Sequence, residues 1–125
     1  MRVVVPVIPV REELLLSPHF GRALAFALFE VEGESFNVEV HRNPVPPQQE
    51  RGRGRAVIAL IRSLRPEAVI VKSIGPGAFH NLRELGIRIF RSDDRLAEEA
   101  VRRLIRGELR EMEEPEEKEE RDHAW

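Results

Sequence analysis

Six consecutive residues, Ser17-Pro18-His19-Phe20-Gly21-Arg22, set an imidazole, an aromatic ring, a glycine and a guanidinium side by side. A neutral imidazole ligates transition metals, and a guanidinium beside it offsets negative charge. If a helical turn begins here, His19 and Arg22 at i and i+3 share one side of it, while Gly21 lets the backbone turn sharply or approach a ligand closely. The structural alternative is a tight turn capped by His19 and Arg22, with Phe20 plugging the core. A second segment, Arg51-Gly52-Arg53-Gly54-Arg55, alternates guanidinium groups with glycines ahead of a helix, which aims free backbone N–H groups and the positive end of the helix dipole at an anion. No Gly-Lys-Ser/Thr comes after it, so it is not an NTPase phosphate loop, and it is too short and too poor in aromatics for an RNA-binding Arg-Gly tract. Its alternative is a solvated loop. Gly75-Pro76-Gly77 suits either a ligand-approach loop or a tight strand-to-helix turn. His41 and His80 read as surface histidines, and His123 falls in an acidic tail.

Composition limits the chemistry. The chain has no cysteine, which excludes disulfides, a thiolate nucleophile and a cluster held by Cys ligands of this chain alone. Any metal it binds must meet nitrogen or oxygen. With 125 residues and 42% hydrophobic content, the chain fits one compact domain with a modest core. The net charge of -2 hides an asymmetry: residues 111–125 carry eight acidic side chains against Lys118 and Arg121, and the first 110 residues are left at +4. That is enough for an anion site and far from a nucleic-acid-binding domain. No run of about 18 apolar residues occurs and the N-terminus enters a strand directly, so the expectation is a cytoplasmic protein without a membrane partner. Abundant Arg and Glu, no Cys and nine prolines lean toward a heat-adapted source.

Hydrophobic periodicity supplies the elements that must hold these residues. A Val- and Ile-rich strand over residues 2–10 reads as buried on both faces, with Pro6 and Pro9 awkward for pairing. Residues 11–18 read as a loop. A hairpin comes next, 24–31 and 35–42, and then a helix over 53–64, a strand 68–71, a helix from Pro76 to Leu85 closed by Gly86, a strand 87–90, and a helix 94–105 with Ser92 or Asp93 as its N-cap. This order predicts an α/β domain over residues 1–110, with a five-stranded mixed sheet, one antiparallel strand, three helices on its two faces, and residues 111–125 as a disordered or helical tail. Strands joined by helical crossovers run parallel, so the His19 loop, the Arg/Gly segment and Ser73–Gly77 all gather at the carboxyl edge of the sheet.

The opening strand, the Ser-x-His-Phe-Gly-Arg stretch, the hairpin, Ile74-Gly75-Pro76-Gly77-Ala78-Phe79, Leu85-Gly86-Ile87 and Gly107-Glu108-Leu109 occur in an order and spacing that resembles the dinitrogenase iron-molybdenum cofactor biosynthesis family, over residues 1 to about 109. The resemblance implies a ribonuclease H-like, three-layer α/β/α fold. It further implies a non-enzymatic carrier of an anionic iron-sulfur or iron-molybdenum type cofactor or precursor, served by a protein donor or acceptor. His19 would be the metal ligand. Phe20, Gly21 and Arg22 would complete the site, with Arg51, Arg53 and Arg55 as counter-charge and Gly75 and Gly77 as backbone contacts. A His often occupies the Arg/Gly segment in the family; arginine stands there in this chain, and a charged guanidinium cannot ligate a metal. A regulatory or scaffolding module is the alternative. A ribonuclease H-like hydrolase fits less well, because strand 1 offers no Asp or Glu and only Asp93 and Asp94 lie near a strand end, too few for a two-metal cluster.

Overall fold

The computed structural model describes residues 1–116; residues 117–125, including His123, lie outside the described residues. In chain order the elements are β1 (Arg2–Val10), β2 (Glu13–Leu16), β3 (Ala25–Glu32), β4 (Ser35–Arg42), α1 (Arg53–Leu64), β5 (Ala68–Val71), α2 (Pro76–Glu84), β6 (Arg88–Arg91), α3 (Ala97–Ile105) and β7 (Arg110–Glu111). They form one mixed sheet of seven strands in the order β4-β3-β1-β5-β6-β7, with β2 paired to the far half of β1. The five expected strands are all present, and two more extend them.

β1 is the spine. It takes β3 antiparallel along Arg2–Val7, and on its other side it pairs β5 in parallel at Val3 and Val4, then β2 antiparallel from Val7 to Val10. The prolines fit this change of partner. Pro6 has no N–H to give, and its carbonyl accepts from Ser17 N–H at 2.9 Å, so the missing donor faces the gap between β5 and β2. Pro9 lies beyond the end of the β3 pairing, where its missing N–H faces no strand. β2 occupies part of the expected 11–18 loop. Its turn uses Arg11 at φ 56°, without the Gly or Asn that usually marks such a turn, so the charged run Arg11-Glu12-Glu13 disguises a hairpin.

Alternation along the strands feeds two cores. One face carries Val4, Phe26, Leu28, Val69 and Ile89 against Val57, Ile61 and Leu64 of α1 and Phe79 and Leu82 of α2. The other carries Val5, Ala27, Phe29 and Ile70 against Ala97, Ala100 and Val101 of α3. Helices therefore cover both faces, making three layers. The third helix starts at Ala97, later than expected, with the Glu99 carboxylate accepting the Leu96 N–H; Ser92 instead accepts from the Asp94 N–H and donates to the Asp94 carboxylate.

The expected tail from residue 111 begins too early. Arg110–Glu111 pair antiparallel with Phe90–Arg91 of β6, Met112 N–H donates to Ile89 O at 2.8 Å, and the Met112 side chain is 1% exposed within the α1/α2 core. Arg88 grips Glu111 with three N–H···O contacts of 2.6–3.2 Å and holds its carboxyl below the usual carboxylate range. A lone methionine among glutamates gives no periodicity, which is why the sequence hides it. Met112→Ala is expected to cost about 2–4 kcal/mol, the range for emptying a buried Met site. Thermal unfolding checks this, and an unchanged melting temperature would put residues 110–116 outside the cooperative unit.

Candidate functional site

Because β2 returns along β1, Ser17 emerges just beyond the carboxyl end of β5, and two buried serines fix the backbone of the next two residues. Ser17, 3% exposed, donates from Oγ to the His19 carbonyl at 2.8 Å and accepts the His19 N–H at 3.2 Å. Ser73, 5% exposed and just after β5, donates from Oγ to the Pro18 carbonyl at 2.7 Å. The backbone of His19 is thus held from both sides. Its imidazole is half-buried and, among the described residues, takes part in no hydrogen bond or ion pair. Phe20 points the other way, 3% exposed, its ring edge-on to Phe26 at 5.5 Å, and serves as the plug.

A cleft of about 320 Å³ opens here, lined by His19, Phe20, Gly21, Arg22, Arg53, Ser73 and the Ile74–Ala78 segment. Seven of the nine expected site residues meet in it: His19, Phe20, Gly21, Arg22, Arg53, Gly75 and Gly77. Arg51 and Arg55 do not line it and are exposed. The three arginines have separated because α1 begins at Arg53 and buries the face that carries Arg53, Val57, Ile61 and Leu64. Gly52, at φ 77°, is the left-handed residue that lets the chain turn into that helix.

Arg53 is the main correction to the expected roles. It is 7% exposed, and its guanidinium donates to the carbonyls of Gly21 (3.2 Å), Pro46 (3.1 Å), Pro47 (3.1 Å) and Gln49 (2.5 Å). It is a clamp on backbone, not a loose counter-charge. Asn43 does similar work, donating from Nδ2 to the Gly21 and Ala23 carbonyls at 2.9 and 2.8 Å and accepting the Val45 N–H at Oδ1. Gly21 is not required by the turn, since its φ lies outside the left-handed region and a methyl there would meet only Arg53 Cδ at 3.8 Å. Its missing side chain leaves the cleft wall open.

Among the described residues, the charged side chains lining the cleft are the guanidinium groups of Arg22 and Arg53. Gly75 is the N-cap of α2, Pro76 opens the helix, and Gly77 and Ala78, whose N–H groups have no partner within the helix, line the cleft; the first turn holds no acid. Arg22 reaches the rim and pairs with Glu50 at 2.9 Å, an exposed ion pair worth about 0–1 kcal/mol. Asn43, Glu50, Ser17 and Ser73 were not singled out in the sequence; Ser17 stands inside the motif, but pairings across 55 residues, as for Ser73 and Pro18, leave no local signal. His41 binds Glu39 on β4 and His80 lies against Phe79, both outside the cleft. Among the described residues no three His, Cys, Asp or Glu side chains converge as a metal site. The donor set of one imidazole, guanidinium groups and amides fits a preformed anion with an open coordination position, not a bare cation that needs several protein ligands.

The model of the dinitrogenase iron-molybdenum cofactor family matches residues 1–107. The chain belongs to that family. An uncharacterized protein of Methanocaldococcus jannaschii is 33% identical to this family member over 99 residues, 78% of this chain and 83% of its own length. The apo orange protein of Desulfovibrio gigas shares the fold with a TM-score of 0.79, over 91% of this chain and 94% of its own, at 23% identity. A Thermotoga protein provisionally named NifB superposes with a TM-score of 0.71 at 28% identity, covering 88% of this chain and 91% of its own. No helix among the described residues is long and apolar enough to cross a membrane.

The clamp role separates the three arginines by their effect on stability. Arg53→Met leaves four carbonyls without their cation and is expected to destabilise the fold by on the order of 2–3 kcal/mol. Arg51→Ser and Arg55→Ser are expected to stay within about 0.5 kcal/mol. Denaturant titration distinguishes them, and equal effects at all three positions would refute the clamp.

Proposed function

We propose that this protein is a binding and carrier module for an anionic iron-sulfur or iron-molybdenum type cofactor, or a precursor of one, held in the His19 cleft and exchanged with a protein donor or acceptor. The observation that carries the reading is the His19 imidazole, without a partner among the described residues, on a backbone fixed by two buried serines beside Arg22 and the α2 N-terminus, in a cleft that no carboxylate of the described residues lines. Such a cofactor brings its own metal and sulfide; the protein has to supply one neutral nitrogen ligand and positive charge. His19 provides the first. Arg22 provides the second by turning from Glu50 toward the ligand, a small sacrifice for an exposed pair. The amides of Gly77 and Ala78 add donors that need no reorganisation.

In this reading the protein catalyses no step and acts in the cytoplasm. We take the three layers as ribonuclease H-like in architecture, without that chemistry: Asp93 pairs with Arg91, Asp94 bonds Ser92 and Arg103, and neither lines the cleft.

Anaerobic reconstitution with ferrous iron and sulfide, with and without molybdate, then desalting and metal and sulfide analysis, tests the proposal. Wild-type protein is expected to retain metal, and His19→Ala to lose at least about tenfold of it with little change in melting temperature, since a half-buried loop side chain leaves no core cavity. Retention equal to wild type in His19→Ala would sink the assignment. Removing the competitor is expected to act oppositely to removing the cation. Glu50→Gln should raise uptake, and Arg22→Gln should lower it and flatten its dependence on salt, because one fewer guanidinium competes with dissolved ions.

A further inference from the structure

The two edges of the sheet differ. β7, at one edge, is two residues long, whereas β4 runs eight residues in unbroken one-to-one register with β3 and has no strand on its outer side among the described residues. It carries no proline or bulge, and Glu39 and Arg42 are its only side chains of fixed charge. Asn43 N–H donates to Leu24 O at 3.0 Å, so odd-numbered residues turn their backbone groups toward β3, and Val38, Val40 and Arg42 turn theirs outward. Val38 and Val40 are also 39% and 49% exposed, and Leu24 next to them 53%. A groove of about 770 Å³ lined by Leu24, Val40, Arg42 and Pro44 continues this apolar strip.

We propose that β4 is a dimerisation strand, pairing antiparallel with β4 of a second copy of this chain about a twofold axis through Val40. The charges select this register. With Val40 opposite Val40 of the second copy, Glu39 falls opposite His41 and His41 opposite Glu39, so a carboxylate meets an imidazole twice; on each chain alone these two groups already bond to one another at 2.9 Å. Centring on Glu39 would face two carboxylates, and centring on Val38 would leave Glu39 against Asn37. The outward backbone groups of Val38, Val40 and Arg42 then form about six interchain hydrogen bonds, and the exposed valines gain apolar neighbours. The cleft residues do not belong to β4, so the strand pairing itself leaves them untouched, although the groove beside β4 shares Arg22 and Arg53 with the cleft.

The full chain is expected to sediment at twice its monomer mass at micromolar concentration with a melting temperature that rises with protein concentration, and Val40→Lys, at an exposed position, to sediment as a folded monomer whose melting temperature does not depend on concentration. The absence of native cysteine makes a second measurement clean, because a single introduced thiol reports its own distance to its copy. Val40→Cys places two thiols on residues about 5.5 Å apart at Cα, within disulfide reach, and should cross-link under mild oxidation. Asn37→Cys separates them by roughly 20 Å and should not. A monomeric wild-type chain, a dimer that Val40→Lys leaves intact, or equal cross-linking at both positions would overturn the proposal.

Discussion

A buried guanidinium is costly unless its donors are matched, and the arrangement around the cleft depends on matching Nη1 and Nη2 of Arg53, whose buried Nε has no partner among the described residues. Four carbonyls from two stretches of chain, residue 21 and residues 46–49, converge on it. Two of them belong to Pro46 and Pro47, and the Pro46 carbonyl also accepts the Gln49 N–H at 3.0 Å. The other stretch is Gly21, so the clamp ties the Pro-rich loop and the start of α1 to the end of the His19 motif. Asn43 closes the same joint from the end of β4.

On this frame, positive character is built from parts of different permanence. The α2 N-terminus and the Arg53 charge are fixed by backbone and burial, while Arg22 is exposed and engaged by Glu50 across the rim. A cleft with a fixed helix N-terminus and one adjustable cation suits an anion that must be taken up and later released. The serine bonds to His19 and Pro18 keep the imidazole presented without occupying it, which lowers the ordering entropy that ligation would otherwise cost.

The sheet solves its edge problem on one side only. Near β7 the chain continues through the buried Met112 and on to Glu116, whose carbonyl accepts the Ile74 N–H, so that border is short and partly covered. On the β4 side a long, regular, half-apolar strand has no neighbour on its outer side among the described residues. This asymmetry motivates an interaction surface there rather than at the cleft.

Much of the fold was legible in the residues themselves. Apolar runs located β1, β3, β4, β5, β6 and all three helices, and crossover connectivity brought the His19 loop and the Gly75 turn to one edge, because local periodicity and chain connectivity are properties of the sequence. The imidazole at 19 and the lack of thiols likewise bounded the chemistry before any coordinates. Other features depend on contacts between distant segments. β2 and β7 are too short, and their flanks too charged, for periodicity to show; Met112 is buried only because β6 offers it an edge. Arg51, Arg53 and Arg55 look alike in the chain, and although Arg53 stands four residues before Val57 on what becomes the buried face, only the carbonyls gathered from residues 21 and 46–49 could turn that position from an exposed charge into a clamp. Residue type and spacing are local, whereas the burial that decides what a charged side chain does is set by which remote backbone the tertiary fold brings to it.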